Sequence, residues 1–282
     1  MSFKALREIF NSQLSNFNFV LKFISFSSGS SGNCYMLLCD GVGIMIDQGV
    51  GIRKLKKHIN EYALPLDAVQ AILLTHDHFD HSRSVGETSE LLGVPVYAHS
   101  LVHDAMLNNP HIYKKIPSTL RHDIGENEIL RIGCFTITPF PVPHDSACNM
   151  GYFIETPQTN ICLITDVGCY LPHIKKHISQ SRNLVIEANY DTNMLASGKY
   201  PAMLKRRIAA EHGHASNQQT ADVLCESLSP VIQRIFLCHL SANNNNSAIA
   251  LQTIRKTILK KGFDIPVSTL SRTSSDGIFE LY

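Results

Sequence analysis

The sequence lacks an excess of charge of either sign. Lysine and arginine together number 25 and aspartate and glutamate number 24, which gives a formal net charge of +1 over 282 residues. A chain this close to neutral has no global field that would attract a polyanion over a long distance. Any contact with nucleic acid must therefore come from a local patch of basic side chains.

Long apolar runs and closely spaced cysteine pairs are also missing. No segment approaches the roughly 18 consecutive apolar residues of a membrane-spanning helix, and residues 1–19 contain neither the apolar block nor the cleavage motif of a signal peptide. Eight cysteines are present without a C-x-x-C pair, and several lie in apolar, strand-like runs. We therefore expect buried, reduced thiols, a cytoplasmic location and no membrane partner.

The remaining composition is that of a folded globular protein. Hydrophobic residues make up 44% of the chain and charged residues 17%, which is enough apolar material for a sizeable core. Short β-rich runs and segments of helical periodicity follow each other in two rounds without a linker. This order predicts an α/β sandwich of two sheets with helices outside, in one domain over residues 19–282 after an N-terminal extension over residues 1–18.

Histidine is abundant, with 14 residues, and four metal-binding side chains are concentrated in one short motif. The pattern His76-x-His78-x-Asp80-His81 directly follows an apolar run over residues 68–74. Residues two apart in an extended segment point the same way, so His76 and His78 can bind one ion. The chain then turns towards a helix, so Asp80 and His81 can face a second ion. Because four donors cannot fill two coordination shells, further ligands must come from elsewhere in the chain.

Three more candidate donors follow apolar runs that read as strands. These residues are His144, Asp166 and His239, and Asp47 ends another such run. Imidazole nitrogen and carboxylate oxygen together suit Zn²⁺, Mn²⁺ or Fe²⁺ better than Ca²⁺ or Mg²⁺. We expect two divalent metal ions, with zinc ranked before manganese and iron.

Taken in chain order, these residues resemble the five motifs of the metallo-β-lactamase superfamily. The resemblance implies a four-layer αββα sandwich with the metals at one edge, between the sheets. It also implies a ligand set, in which Asp47 orients a ligand and Asp166 bridges both ions. The first ion would be held by His76, His78 and His144, and the second by Asp80, His81 and His239.

Finer motifs resemble the YycJ (WalJ) group of this superfamily, which is associated with DNA exonuclease activity. They lie in residues 28–33, 187–191, 213–217 and 239–245. Tyr190 departs from the pattern, because we expect histidine there in many relatives, and no role is assigned to it. A bridging aspartate favours the phosphodiesterase, lactonase and glyoxalase-like branches over true β-lactamases.

The resemblance predicts a hydrolase in which a hydroxide shared by the two ions attacks a phosphodiester. Asp80 and His214 are the predicted catalytic residues, with His214 giving a proton to the leaving oxygen. A loop histidine without chemistry explains His214 equally well. Ser30, Asn33 and Asn189 are the predicted substrate contacts, although a tight turn and a strand-end cap also account for them.

Three functions stay open at this point. The first is a nuclease, most simply an exonuclease that acts on DNA, and the second is a hydrolase of a small cyclic phosphodiester, lactone or thioester. The third is a non-catalytic module that binds nucleic acid and uses metals only to hold its fold, although structural sites are closed and rarely pair two ions. Local charge separates the first two, because a nuclease needs basic side chains near the metals. The candidates are Lys199, Lys205, Arg206 and Arg207.

Overall fold

The computed structural model describes residues 20–282. The predicted extension over residues 1–18 lies outside the described residues. Within residues 20–282, no helix is both long and apolar enough to cross a membrane. All eight cysteines are free thiols, four of them buried and four partly buried.

The first sheet has seven strands and contains both parallel and antiparallel pairs. Its strands in chain order are β1 (Leu21–Ser27), β2 (Cys34–Cys39), β3 (Val42–Ile46), β4 (Val69–Leu73), β5 (Val96–Ala98), β6 (Arg121–Asp123) and β14 (Ile278–Leu281). Their order across the sheet is β14-β1-β2-β3-β4-β5-β6. Strands β3 to β6 run parallel, and β14, β1, β2 and β3 form antiparallel pairs.

The second sheet also has seven strands. They are β7 (Leu130–Ile132), β8 (Phe135–Pro141), β9 (Met150–Glu155), β10 (Asn160–Ile164), β11 (Asn183–Glu187), β12 (Arg234–Cys238) and β13 (Val267–Thr269). Their order is β13-β12-β11-β10-β9-β8-β7. Strands β10 to β13 are parallel, and β7 to β10 form an antiparallel meander.

Helices cover the outer face of each sheet, and further short helices lie in the loops at one edge. They are α1 (Ile52–Glu61), α2 (Phe79–Ser82), α3 (Val85–Leu92), α4 (Ser100–Asn108), α5 (Pro172–Gln180), α6 (Thr192–Ser197), α7 (Ala202–Ile208), α8 (Asn217–Ser227) and α9 (Ser247–Lys260). Two single 3₁₀ turns are found at Leu66–Ala68 and Ser118–Leu120. A capping box forms at the start of α8, where the side chains of Ser216 and Gln219 each accept from the other residue's backbone N–H.

Alternation along the strands creates three apolar layers. In β11, Val185 packs between the sheets, whereas Leu184 and Ile186 point to the helices outside. A parallel strand covered on both faces has to be apolar throughout, which explains the unbroken hydrophobic runs in the sequence. Helices α1, α3 and α4 cover the first sheet, and α5, α8 and α9 cover the second. The predicted α/β fold, an αββα four-layer sandwich, is confirmed.

Candidate metal centre

Parallel strands from both sheets end at one edge of the sandwich, and the polar candidates follow these ends. Asp47 comes directly after β3, Asp166 lies two residues beyond β10, and His239 comes directly after β12. Strands β10, β11 and β12 are parallel and end at the same level. The fold therefore brings together residues that are distant in the sequence.

The backbone reverses sharply at three of these positions. Asp47, Asp166 and His239 have φ values of 58°, 53° and 54°, in the left-handed region that residues other than glycine seldom adopt. Each such conformation costs about 1–3 kcal/mol, and such residues cluster at active sites and ligand sites. The strands thus end in turns that hold a carboxylate or an imidazole at the edge of the sheets.

Three histidine side chains form the first donor group. Nε2 of His144 lies 3.3 Å from Nδ1 of His78, and the rings of His76 and His144 are 5.2 Å apart. The outer nitrogens donate to backbone carbonyls, from His144 Nδ1 to Gly213 at 2.9 Å and from His78 Nε2 to Asp145 at 3.1 Å. Such contacts fix the tautomer of an imidazole and leave its inner nitrogen free to bind a metal.

His76 carries a buried nitrogen that has no hydrogen-bond partner among residues 20–282. Its Nδ1 lies 2.9 Å from the hydroxyl of Thr75, whereas its Nε2 is buried and unpartnered. Burial and the nearby charge of His81 lower the pKa of His76 well below its ordinary value. The imidazole is therefore neutral, and its free lone pair points into the donor cluster.

The second donor group combines one carboxylate with two imidazoles. Oδ2 of Asp80 lies 3.3 Å from Nε2 of His239 and 3.7 Å from Nε2 of His81. Behind them, Asp47 accepts from Nδ1 of His81 at 2.7 Å and from the backbone N–H of Thr75 at 2.8 Å. Asp47 therefore orients the ring of His81, so that Nε2 faces the cluster.

The carboxylate of Asp166 lies between the two groups. Its Oδ2 is 2.6 Å from Nε2 of His81 and 3.4 Å from Nε2 of His76. Burial would raise the pKa of Asp166, but the charges of His239 and His81 hold it well below its ordinary value. Burial likewise would lower the pKa of His81, but Asp166, Asp47 and Asp80 raise it to about 10.

The donor set suits a divalent metal ion. The histidine and acidic side chains form four overlapping groups of three or four residues. Within each group, the possible ligand atoms all lie within 4.8 Å of one another. One of these atoms, His76 Nε2, is buried without a hydrogen bond among the described residues. Buried polar atoms are rarely left unpaired unless a bound group satisfies them. Imidazole nitrogen with carboxylate oxygen is the combination that Zn²⁺, Mn²⁺ and Fe²⁺ prefer.

Glu187 belongs to this site, whereas the sequence indicates a strand-end cap or a substrate contact. Its side chain is fully buried, and Oε1 accepts from Nδ1 of His214 at 2.8 Å and lies 3.0 Å from Nδ1 of His239. Oε2 accepts from the backbone N–H groups of Val167 and Ala215. The available signal was a glutamate that ends a continuous apolar strand, where burial requires hydrogen-bond partners.

A cavity of about 250 Å³ opens over the donor cluster. Its lining includes Ser30, a predicted substrate contact, and His214, a predicted catalytic residue. Burial would lower the pKa of His214, but Glu187 and Asp166 raise it to about 9. Arg207 also lines the cavity. Of the four basic candidates, the other three lie outside the lining: Lys199, Lys205 and Arg206.

Asn33 and Asn189 lie beneath the cavity rather than in its wall. Asn33 is fully buried, and its amide nitrogen is 2.8 Å from Nε2 of His81. Asn189 is 5% exposed, and its amide donates to the carbonyl of His239 at 2.9 Å. Both amides make contacts inside the protein, and neither residue lines the cavity. Substrate contact by Asn33 and Asn189 stays a prediction.

Comparison with known proteins identifies the family. The sequence matches the β-lactamase superfamily domain over residues 43–239, and the chain belongs to this superfamily. Exodeoxyribonuclease YycJ of Bacillus anthracis is 29% identical over 245 residues, covering 87% of this chain and 92% of the relative. Exodeoxyribonuclease WalJ of Streptococcus pneumoniae is 30% identical over 233 residues, covering 83% and 86%. The metallo-β-lactamase fold protein YhfI of Bacillus subtilis aligns over 93% of this chain and all of its own, with a TM-score of 0.68 at 15% identity.

The family and the cluster of donors together define the class of protein. The resemblance to the metallo-β-lactamase superfamily and to its YycJ (WalJ) group is confirmed. The chain is a metal-dependent hydrolase, with a histidine and aspartate cluster that can hold metal at the edge of its two sheets.

The substitution Gly49→Ala tests how strongly this cluster depends on close backbone packing. A Cβ atom at Gly49 would lie 1.6 Å from the carbonyl oxygen of Asp80, whereas one at Gly125 would meet nothing closer than 3.6 Å. We expect Gly49→Ala to lower the free energy of unfolding by roughly 2–4 kcal/mol and to weaken metal binding, because the motif loop must shift. Gly125→Ala should change stability by less than about 1 kcal/mol.

Denaturant unfolding and metal titration of both variants provide the measurement. Equal stability and equal metal affinity for Gly49→Ala and the unsubstituted protein would contradict this prediction. The donor cluster would then not depend on the close approach of the backbone at Gly49 to the backbone at Asp80.

Proposed function

We propose that this hydrolase is a phosphodiesterase that uses two divalent metal ions to remove nucleotides from the end of DNA. The observation that carries the proposal is the position of the Asp166 carboxylate, which contacts a member of each donor group. The relatives named exodeoxyribonucleases, at 29–30% identity over most of both chains, support DNA as the substrate.

The proposed ligands divide between the two ions as the donor groups do. Asp166 would contribute to both ions, and Asp47 would hold His81 in place. The first ion would be held by His76, His78 and His144, and the second by Asp80, His81 and His239. Divalent ions in such a site lower the pKa of a coordinated water and neutralise charge on a phosphate. Zinc is our first expectation, with manganese and iron as alternatives.

His214 is the proposed proton donor to the leaving oxygen. Its Nδ1 is held by Glu187 at 2.8 Å, and its Nε2 makes no hydrogen bond within residues 20–282. Its side chain lines the cavity next to Asp80 and Asp166. A fixed imidazole whose free nitrogen faces the substrate cavity has the geometry that general acid catalysis requires.

Metal analysis and a cleavage assay test the proposed function directly. Labelled single-stranded and double-stranded DNA and RNA would be incubated with the protein after loading with zinc, manganese or iron, beside small cyclic phosphodiesters, lactones and thioesters. We expect two metal equivalents per chain and release of nucleotides from DNA ends, lost on chelation and restored by metal. Cleavage of small substrates alone, or of no substrate, would contradict the proposal.

Asp80→Ala separates a catalytic centre from a structural one. Asp80 belongs to the second donor group and its side chain is 23% exposed, so its removal should leave the fold intact. We expect cleavage of DNA to fall by more than the roughly 10–100-fold typical of residues behind metal ligands. Circular dichroism and thermal unfolding provide the control. Global unfolding of the variant would instead favour a structural role for the metals.

His214→Ala tests the proton donor, with His212→Ala as a matched control two residues away. His212 is exposed and does not line the cavity. We expect His214→Ala to lower kcat on DNA by about 10²–10⁴-fold, and His212→Ala to have little effect.

A nitrophenyl phosphodiester sharpens this test, because its leaving group needs no proton. The loss of kcat in His214→Ala should be much smaller on that substrate than on DNA. An equal loss on both substrates would assign His214 to another role.

A further inference from the structure

Helix α7 presents one charged side chain to the cavity. Leu204, Arg207 and Ile208 line the cavity wall, and they are spaced three and four residues apart. Residues at this spacing share one face of a helix, so these three residues mark the face of α7 that is turned toward the metal centre. Arg206 is exposed, does not line the cavity, and lies two residues from Leu204, on the opposite side of the helix. Arg207 is thus the one arginine in the lining.

The guanidinium of Arg207 is only partly used in the protein. Its Nε donates to Oδ2 of Asp145, and its two terminal nitrogens make no hydrogen bond within residues 20–282. The side chain of Arg207 is 62% exposed and that of Asp145 is 30% exposed. Exposed ion pairs of this kind add little to stability, so folding alone does not explain the pairing.

Asp145 brings this ion pair next to the first donor group. Its Oδ1 lies 3.4 Å from Nε2 of His144, and its backbone carbonyl accepts from His78. A carboxylate and a phosphate offer arginine the same arrangement of two oxygens. The Asp145 carboxylate therefore marks a position beside the metal centre at which an anionic oxygen can meet Arg207.

We propose that Arg207 binds a phosphate group of the nucleic-acid substrate and that the Asp145 carboxylate takes the place of this phosphate in the free protein. The inference rests on the proposed function and deepens it, because it names the residue that selects a polyanionic substrate. The exchange involves no covalent step. Arg207 gives up one oxygen partner for another, while Leu204 and Ile208 supply an apolar wall for the adjoining sugar or base.

Four variants test this proposal on the full chain with metal bound. They are Arg207→Ala, the matched control Arg206→Ala, Asp145→Asn, and the double variant of Arg207→Ala with Asp145→Asn. Arg207 and Arg206 are exposed residues of the same short helix, so both substitutions should fold normally. The readouts are KM and kcat on a DNA oligonucleotide and on a nitrophenyl phosphodiester, which has no neighbouring phosphate. Fluorescence anisotropy with a labelled oligonucleotide gives the affinity independently of turnover.

Arg207→Ala should raise KM for the oligonucleotide and its dissociation constant by about 10–100-fold, as loss of a charged hydrogen-bond donor implies. The change in kcat, and in KM for the nitrophenyl substrate, should stay within about threefold. Arg206→Ala should change each value less than about threefold. Asp145→Asn should leave KM unchanged or lower it, because the competing carboxylate is gone.

The double variant separates phosphate binding from mere neutralisation of Asp145. We expect it to remain about tenfold or more weaker on DNA than Asp145→Asn. Recovery of the original KM in the double variant would overturn the proposal, because Arg207 would then only cancel the charge of Asp145. Equal losses for Arg207→Ala and Arg206→Ala would also overturn it, in favour of diffuse attraction. An unsubstituted protein that cleaves no DNA would instead contradict the proposed function itself.

Discussion

The contact of one buried carboxylate with imidazoles from both donor groups is the constraint on which the site depends. Asp166 is 1% exposed and lies 2.6 Å from His81 and 3.4 Å from His76. A charge at this depth is costly unless partners surround it. Asp166 follows β10, whereas His76 and His81 lie in the motif that follows β4. These two strands belong to different sheets, so the carboxylate joins the two halves of the sandwich at their shared edge.

A second layer of hydrogen bonds holds these partners in position. Asp47 fixes His81, Glu187 contacts His239 and His214, and the carbonyl of Gly213 fixes His144. Each of these contacts leaves a nitrogen facing the cluster or the cavity. The supports lie on strand ends, or on loops held against them, so the positions of the donors follow from the registers of the two sheets. Because the strand ends fix these supports, the donors of a hydrolytic site can be held in place at an edge where many loops meet.

The sequence predicts the layers of the fold and identifies polar residues that the structure brings together, because both depend on local patterns. Buried parallel strands give unbroken apolar runs, and a polar residue at the end of such a run is easy to identify. The strands β6, β13 and β14, with three or four residues each, have no comparable pattern, since pairing with a neighbour defines them. The place of Glu187 in the site is not predictable from local patterns either, because its partners lie 27 and 52 positions further along the chain. Asn33 and Asn189 show a different limit, since a polar residue in a turn near the site has the pattern of a substrate contact whether or not its side chain is buried.

The central claim is that the seven donors hold two metal ions that share Asp166. Anomalous X-ray scattering from crystals of the metal-loaded protein, collected at the absorption edge of the bound metal, tests it most directly. The account predicts two peaks at the common edge of the sheets, one beside His76, His78 and His144 and the other beside Asp80, His81 and His239, with Asp166 contacting both. A single peak, or peaks away from Asp166, would contradict the account.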